Sequence, residues 1–235
     1  MLVFMDSFDH YATANVTKKW SSIETGSSGA LDIVASIGRR STQALRLGIT
    51  ALSLGQYSHR VLLTPVDPAP SGATCIAGFA FQSLQPFTTW RGDQTTEGNS
   101  AVLLSIRQGG TTQVWFRLNQ DGTISCLRGT SVLGTSTFAL SQSVYAFLEF
   151  KVTIHGSTGI VQFRKDGTLD ATLNLTGQNT LTTASATWNQ IALGTFRATG
   201  SAGSAPAYLY YDDLYLLDGS GGLRDDFLGD VRCDV

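Results

Sequence analysis

The stretch Val144-Tyr145-Ala146-Phe147-Leu148-Glu149-Phe150-Lys151-Val152-Thr153-Ile154 decides the fold. Val144, Ala146, Leu148, Phe150, Val152 and Ile154 recur at every second position, opposite Tyr145, Phe147, Glu149, Lys151 and Thr153. Successive side chains of an extended chain point to opposite faces. This spacing therefore predicts a strand that buries one face in a core and shows the other to water or a partner. A helix would need apolar residues three and four apart, and that period is nearly absent from the chain. The alternation continues outward from here. Val114, Phe116 and Leu118 alternate with Gln113, Trp115 and Arg117, and Leu45, Leu47 and Ile49 repeat around Arg46. Ala73 to Phe81 is apolar or small at every position, which predicts a strand in the middle of a sheet.

Turn chemistry joins these runs. Asp121-Gly122 and Asp166-Gly167 each stand between alternating segments, and Asp-Gly tolerates the positive φ angles of a tight hairpin. Gly109-Gly110 and the run Gly156-Ser157-Thr158-Gly159 supply two more reversals. Twelve or more strands, mostly antiparallel and without a helix, are expected, and such a series folds as a sandwich or a barrel. Two stretches break the rhythm. Ser83 to Ser100 is a polar loop carrying Pro86, Trp90 and Arg91-Gly92-Asp93, and Ala198 to Pro206 reads as a surface excursion. Strong strands flank both and the composition does not shift, so residues 1–235 are read as one domain.

Composition narrows the partners. Charged residues make up 14% of the chain, against about 25% in ordinary soluble domains. Ser, Thr and Gly fill the polar positions, a surface suited to packing rather than to electrostatic steering. A net charge of -2 with no basic stripe argues against nucleic acid. The amino end, MLVFMDSFDHY, has neither the positive region nor the long apolar core of a signal peptide. No apolar run approaches the roughly 18 residues of a membrane helix. Cys75, Cys126 and Cys233 are odd in number and far apart, which reads as reduced thiols, with Cys233 near enough to the end to cross-link neighbours.

Read in order, certain segments resemble the concanavalin A-like jelly roll, the family of legume lectins and laminin G-like domains. They are Asp6-Ser7-Phe8-Asp9, Ala44 to Gly48, Gly78 to Phe81, Tyr145 to Val152, Gly159 to Gly167, Ile191 to Gly194 and Tyr211 to Tyr215. A long strand, a hairpin closed by Asp-Gly and a late strand with an acidic pair follow one another over nearly the whole chain. The resemblance implies an all-β, two-sheet antiparallel sandwich. The carboxyl end, Asp212 to Gly219 followed by Asp226-Phe227-Leu228-Gly229-Asp230-Val231-Arg232, looks like the ending of jelly-roll domains in structural proteins of tailed bacteriophages. That likeness implies a virion component, a tail appendage or a head or tail accessory or decoration protein, made in the host cytoplasm.

The chemistry expected of such a chain is sparse. Jelly-roll glycosidases carry paired carboxylates on one strand in a pattern like E-x-D-x-x-E. No such string is present, and Glu149 stands alone on its strand. His10, His59 and His155 belong to no nucleophile motif, and there is no Gly-x-Ser-x-Gly elbow. The chain is accordingly expected not to be an enzyme. Alternation sends Asp212 and Asp213 to opposite faces, so one carboxylate must find donors or a cation. Two readings stand: backbone N–H groups from the first strand around Phe8, or a structural Ca²⁺ held by Asp212 or Asp213 with Asp6 or Asp9, as the resemblance implies for many jelly rolls.

In the long loop, Trp90 beside Arg91 and Asp93 could serve a protein interface, simple loop packing or a sugar ring. Trp20, Trp115 and Trp188 are read as core or inter-strand packing. The Arg91-Gly92-Asp93 tripeptide matches an integrin-recognition motif, but without a secretion signal cell adhesion is set aside. The function expected is that of a virion structural protein acting by packing against other virion subunits and itself, as a homo-oligomer with threefold symmetry as one option. The alternative is a carbohydrate-binding module that touches a surface glycan of the host.

Overall fold

A computed structural model describes residues 1–24, 29–49, 56–57, 60–64, 72–89, 96–97, 100–194, 197–198, 207–220 and 222–233. Among these residues seventeen strands follow one another. The first seven are β1 (Leu2–Asp6), β2 (Ser22–Glu24), β3 (Gly29–Val34), β4 (Ala44–Ile49), β5 (Gln56–Tyr57), β6 (Arg60–Leu63) and β7 (Thr74–Ser83). Next come β8 (Val102–Gln108), β9 (Thr111–Leu118), β10 (Ile124–Arg128), β11 (Ser131–Thr135) and β12 (Ala146–Thr153). The last five are β13 (Gly159–Lys165), β14 (Thr168–Gln178), β15 (Gln190–Leu193), β16 (Arg197–Ala198) and β17 (Ala207–Leu217). The helical pieces among the described residues are α1 (Val16–Lys19) and three 3-10 turns. One turn of helix is too short to display a period in sequence, which is why α1 escapes the pattern.

Two large sheets face each other. The eight-stranded sheet runs β14-β13-β12-β7-β17-β4-β3, with β1 also on β17; the seven-stranded sheet runs β11-β10-β9-β8-β15-β6-β2. The pairings within both are antiparallel. Most of the alternating stretch from Val144 to Ile154 forms β12. Ala146, Leu148, Phe150, Val152 and Ile154 enter the shared core, where Phe150 meets Phe116 of the opposite sheet at a ring distance of 4.4 Å. Only Val144 departs, being exposed ahead of the strand. β7 holds the central place that its all-apolar sequence predicts, between β12 and β17. The Asp166-Gly167 turn closes β13 on β14 with both residues at positive φ, as a two-residue hairpin requires.

The outward face of β12 is not left to water. Phe147 joins Ile76, Ala80, Tyr215 and Leu217 in a second apolar cluster on the outer side of the eight-stranded sheet. Phe227, Leu228 and Val231 of the carboxyl-terminal segment pack over it. Cys75, Cys126 and Cys233 are free and buried. Cys233 is 1% exposed and its thiol donates to Leu214 O, so it does not present sulfur to a neighbour. No helix among the described residues is long and apolar enough to cross a membrane.

Candidate functional site

The outer face of the seven-stranded sheet gathers the polar chemistry. Along β9, Val114, Phe116 and Leu118 point into the core, and Trp115 points out, packing with Val102 and Leu127 in a small apolar cluster of its own. Ser105 of β8 stands opposite Trp115 on β9 and Ala192 on β15; Arg107 stands opposite Thr112 and Gln190. Strand pairing thus lays Trp115, Ser105, Thr112, Arg107 and Gln190 side by side on one surface. From the edge of the sheet, Arg60 of β6 reaches Glu24 of β2, its cross-strand partner.

Glu97 enters this surface from the segment before β8. Its carboxylate accepts hydrogen bonds from Ser105 Oγ at 2.5 Å and Thr112 Oγ1 at 2.6 Å, and it pairs with Arg60 Nη1 at 3.4 Å. Beside it lies an open pocket of about 210 Å³ lined by Thr96, Glu97, Thr112, Trp115, Gly129 and Thr130. The indole of Trp115 is locked in the wall by a 2.9 Å hydrogen bond from Nε1 to Gly129 O. Arg107 is 9% exposed and donates to Gly110 O, while its Nε and Nη1 are buried without a partner. Burial and the nearby charge of Arg60 hold its guanidinium below the ordinary arginine range, opposed in part by Glu97 and Glu24.

Chemically, the concavity presents an aromatic wall, hydroxyls and a carboxylate, and the Arg107 guanidinium lies on the same face, on the residue paired with Thr112. Trp115 performs the inter-strand packing expected of it, against Val102 and Leu127, whereas Arg60, Glu97, Arg107 and Thr112 belong to no motif legible in the sequence. The signal was present in the polar positions of strands otherwise apolar on the core side, Ser105 and Arg107 against Leu104 and Ile106. What it lacked was any indication of which polar faces share a surface.

The residues singled out in sequence lie elsewhere. Trp90, Arg91 and Asp93 fall outside the described residues. Asp6, Asp9, Asp212 and Asp213 are brought together beside the middle of β17, where its pairing passes from β4 to β1, each with donors from the chain. Asp6 accepts Phe8 N at 3.0 Å, Tyr11 Oη at 2.6 Å, Trp20 Nε1 at 3.0 Å and Lys19 Nζ at 3.3 Å. Asp9 accepts Gln43 N at 2.8 Å, Asp212 accepts Arg39 N and Asp213 N, both at 2.8 Å, and Asp213 accepts Cys233 N at 2.9 Å. The donors to the acidic pair thus include Arg39 N, Thr42 Oγ1 and Cys233 N, from segments far apart in the chain. Among the described residues no group of three or more His, Cys, Asp or Glu is placed to hold a metal ion.

The acidic pair also departs from simple alternation. Asp212 pairs with Ala80 and Tyr215 with Gly78, so β17 carries one extra residue there, and Asp213 sits at φ +49. This bulge resets the parity of the strand: Tyr211, Leu214 and Leu216 enter the main core, whereas Tyr215 and Leu217 face outward. Burial, then the charge of Asp213, raises the Asp212 carboxyl to about 7.

No protein-family model and no curated protein matches the chain by sequence. Solved structures do match. Over 92% of its length the chain superposes on the marine PL-14 alginate lyase from Aplysia kurodai, covering 99% of that chain at a TM-score of 0.64 and 13% identity. Over 97% of its length it superposes on the catalytic domain of the glycoside hydrolase family 131 protein from Coprinopsis cinerea, covering 98% of that chain at 0.57 and 14% identity. A sialidase matches 91% of the chain at 0.62 and 10% identity, although this chain spans only 18% of the sialidase.

None of the three is named as a virion protein. At such identities the likeness is one of fold, and it overturns the expectation that the chain is not an enzyme. That expectation stood on a missing carboxylate string, yet two chains that share this fold nearly end to end are named as a lyase and as a hydrolase catalytic domain. The structure is an all-β, two-sheet antiparallel jelly roll of the concanavalin A-like kind.

Proposed function

We propose that the protein recognises a saccharide on the outer face of its seven-stranded sheet, in the pocket beside Trp115. The observation that carries this reading is the convergence of Trp115, Thr112, Thr96 and Glu97 on one open concavity of about 210 Å³. A sugar ring offers C–H faces to an aromatic wall and hydroxyls to polar side chains, and binding sites commonly combine an apolar wall with a few fixed polar groups. The volume is below the roughly 300–1,000 Å³ of sites that enclose a whole small ligand. That size and openness suit one or two units of a longer chain lying across the face. The fold shared with an alginate lyase and a glycoside hydrolase domain supports the same class of ligand.

The test is a panel of soluble polysaccharides scored both for retention of the protein and for release of new reducing ends or unsaturated products. Retention of at least one polysaccharide, weakened about tenfold in Glu97→Gln or Thr112→Val, is the expected result. A folded protein that retains none of the panel overturns the reading. The product assay decides at the same time whether recognition is coupled to cleavage.

A second reading concerns setting. The likeness of residues 212–232 to the endings of bacteriophage jelly rolls favours a virion protein that assembles with other virion subunits or with copies of itself, and a glycan-recognising face is compatible with that. Mass spectrometry of purified particles from the source, with copy number against the major capsid protein, tests it; absence from the particles removes it.

A further inference from the structure

We infer that this pocket takes an acidic saccharide, one bearing a carboxylate or a sulfate, and that Arg107 is the cation that meets the acid group. The inference rests on the saccharide reading above and sharpens it to a chemical class.

Arg107 lies on the outer face of β8, directly across from Thr112, which lines the pocket. Of its three guanidinium nitrogens, Nη2 donates to Gly110 O, while Nε and Nη1 are buried with no acceptor. A guanidinium taken out of water with open donors is costly until an acceptor is supplied. Among the described residues no carboxylate bonds to Arg107 directly. Glu97 and Glu24, the carboxylates that act on Arg107, are both paired with Arg60, and Ser105 and Thr112 occupy Glu97 further. In formal charge Arg60 and Arg107 together balance the two glutamates, but the contacts of those carboxylates go to Arg60, Ser105 and Thr112, so the open donors of Arg107 are met by neither.

The neighbouring side chain defines the remainder of the ligand. Gln190, paired with Arg107 across β8 and β15, gives its amide N–H to Thr64 Oγ1 at 3.0 Å and keeps Oε1 buried without a donor. Open donors on Arg107 beside an open acceptor on Gln190 ask for a ligand with anionic oxygens and hydroxyls close together. An acidic sugar has both; a neutral sugar lacks the first and an inorganic anion lacks the second. A guanidinium accepts carboxylate and sulfate oxygens alike.

The experiment compares binding of the intact protein to a polyuronate, a sulfated polysaccharide and a neutral glucan of matched length, at low and at raised salt. The expected result is that at least one acidic polymer binds about tenfold or more tightly than the neutral one and weakens as salt rises. Binding to the polyuronate alone, or to the sulfated polymer alone, identifies the group and supports the inference. In Arg107→Gln, with folding checked by its melting curve, the acidic preference disappears; in Arg107→Lys, which keeps the charge, part of it remains. Should Arg107→Gln not fold, the ranking and salt dependence of the unaltered protein decide. Equal binding of acidic and neutral polymers, or an acidic preference unchanged in folded Arg107→Gln, overturns this inference and leaves the saccharide reading in place. Binding of no polymer at all overturns both.

Discussion

The phenol of Tyr215 on β17 and the carboxylate of Glu149 on β12 meet across an intervening strand. Tyr215 Oη donates to Glu149 Oε1 at 2.5 Å, although β7 lies between the two strands. The contact exists because Gly78, the residue of β7 paired with both, has no side chain: a Cβ there would lie 2.2 Å from Tyr215 Cε1. The pair also holds the carboxyl-terminal segment. Glu149 Oε1 accepts Gly229 N at 2.8 Å, and Tyr215 Oη accepts Leu228 N at 3.2 Å. Burial, followed by the charge of Glu149, keeps the phenol far above its ordinary range, so it remains a donor.

Gly78→Ala is expected to push the Tyr215 ring off Glu149 and to destabilise the fold by about 1–3 kcal/mol, the usual cost of overpacking a filled site. Tyr215→Phe leaves the space filled but removes a donor from a buried carboxylate, at roughly 1.5–3 kcal/mol. Urea unfolding of both variants checks this. If either unfolds at the wild-type midpoint, the pair does not hold the outer face as described.

Asp170 should make the protein sensitive to acid. Its buried carboxylate accepts the backbone N–H groups of Thr137, Phe138, Thr172 and Leu173 and the hydroxyls of Thr137 and Thr172. Burial alone would raise this carboxyl, but the donors outweigh it and hold it well below the usual carboxylate range. A folded value below the unfolded one contributes stability that is present above the unfolded value, near pH 4, and is lost as pH falls toward the folded one. Asp170→Asn turns acceptor sites toward donors and should cost roughly 2–4 kcal/mol at neutral pH. Its deficit against the unaltered protein should narrow below about pH 4. Melting curves from pH 2.5 to 7 measure it, and a deficit constant across that range would contradict the account.

Asp212 should act in the opposite sense. Its carboxyl is raised to about 7 by burial and by Asp213, against an unfolded value near 4. Between these values the folded state holds a proton that the unfolded chain has released. The contribution is therefore complete below about pH 4 and is lost as pH rises through 7, with an upper bound on the order of 4 kcal/mol. Asp212→Asn, which stays neutral, should flatten the fall in stability between pH 5 and 8. An unaltered slope in that variant would assign the pH dependence to another group.

Phe227 should matter as a cover for charge and apolar surface together. The Arg164 guanidinium lies 4.2 Å from its ring centre, and the ring packs on the outer cluster of the eight-stranded sheet. Phe227→Ala is expected to cost about 1–2 kcal/mol and to increase binding of a hydrophobic dye. A variant of wild-type stability that binds no additional dye would mean that the segment carries no such load.

Particular residues mark how far the sequence could be read. The alternation from Ala146 to Ile154 placed every core residue of β12 correctly, and Asp166-Gly167 marked the hairpin of β13 and β14, because side-chain direction and turn conformation are local properties. The outward face of the same strand misled: Phe147 and Glu149 are covered, and the cover comes from residues some 80 positions away. Alternation failed at Asp212 and Asp213 because a bulge adds one residue to β17 but leaves no period in the sequence. The candidate pocket went unread for the same reason of distance, since Glu97 joins Arg60 of β6 and Thr112 of β9 only after the strands have paired.

The residue order by itself determined that the chain is pleated, where it reverses, and which side chains of each strand share a face. These follow from backbone geometry over a few residues. Tertiary structure alone decided which faces meet, which are sealed by the carboxyl-terminal segment, and which polar groups stand together without partners. Those outcomes depend on hydrogen bonds and contacts between residues such as Glu149 and Tyr215, 66 positions apart, and no local period encodes which strand becomes the neighbour of which.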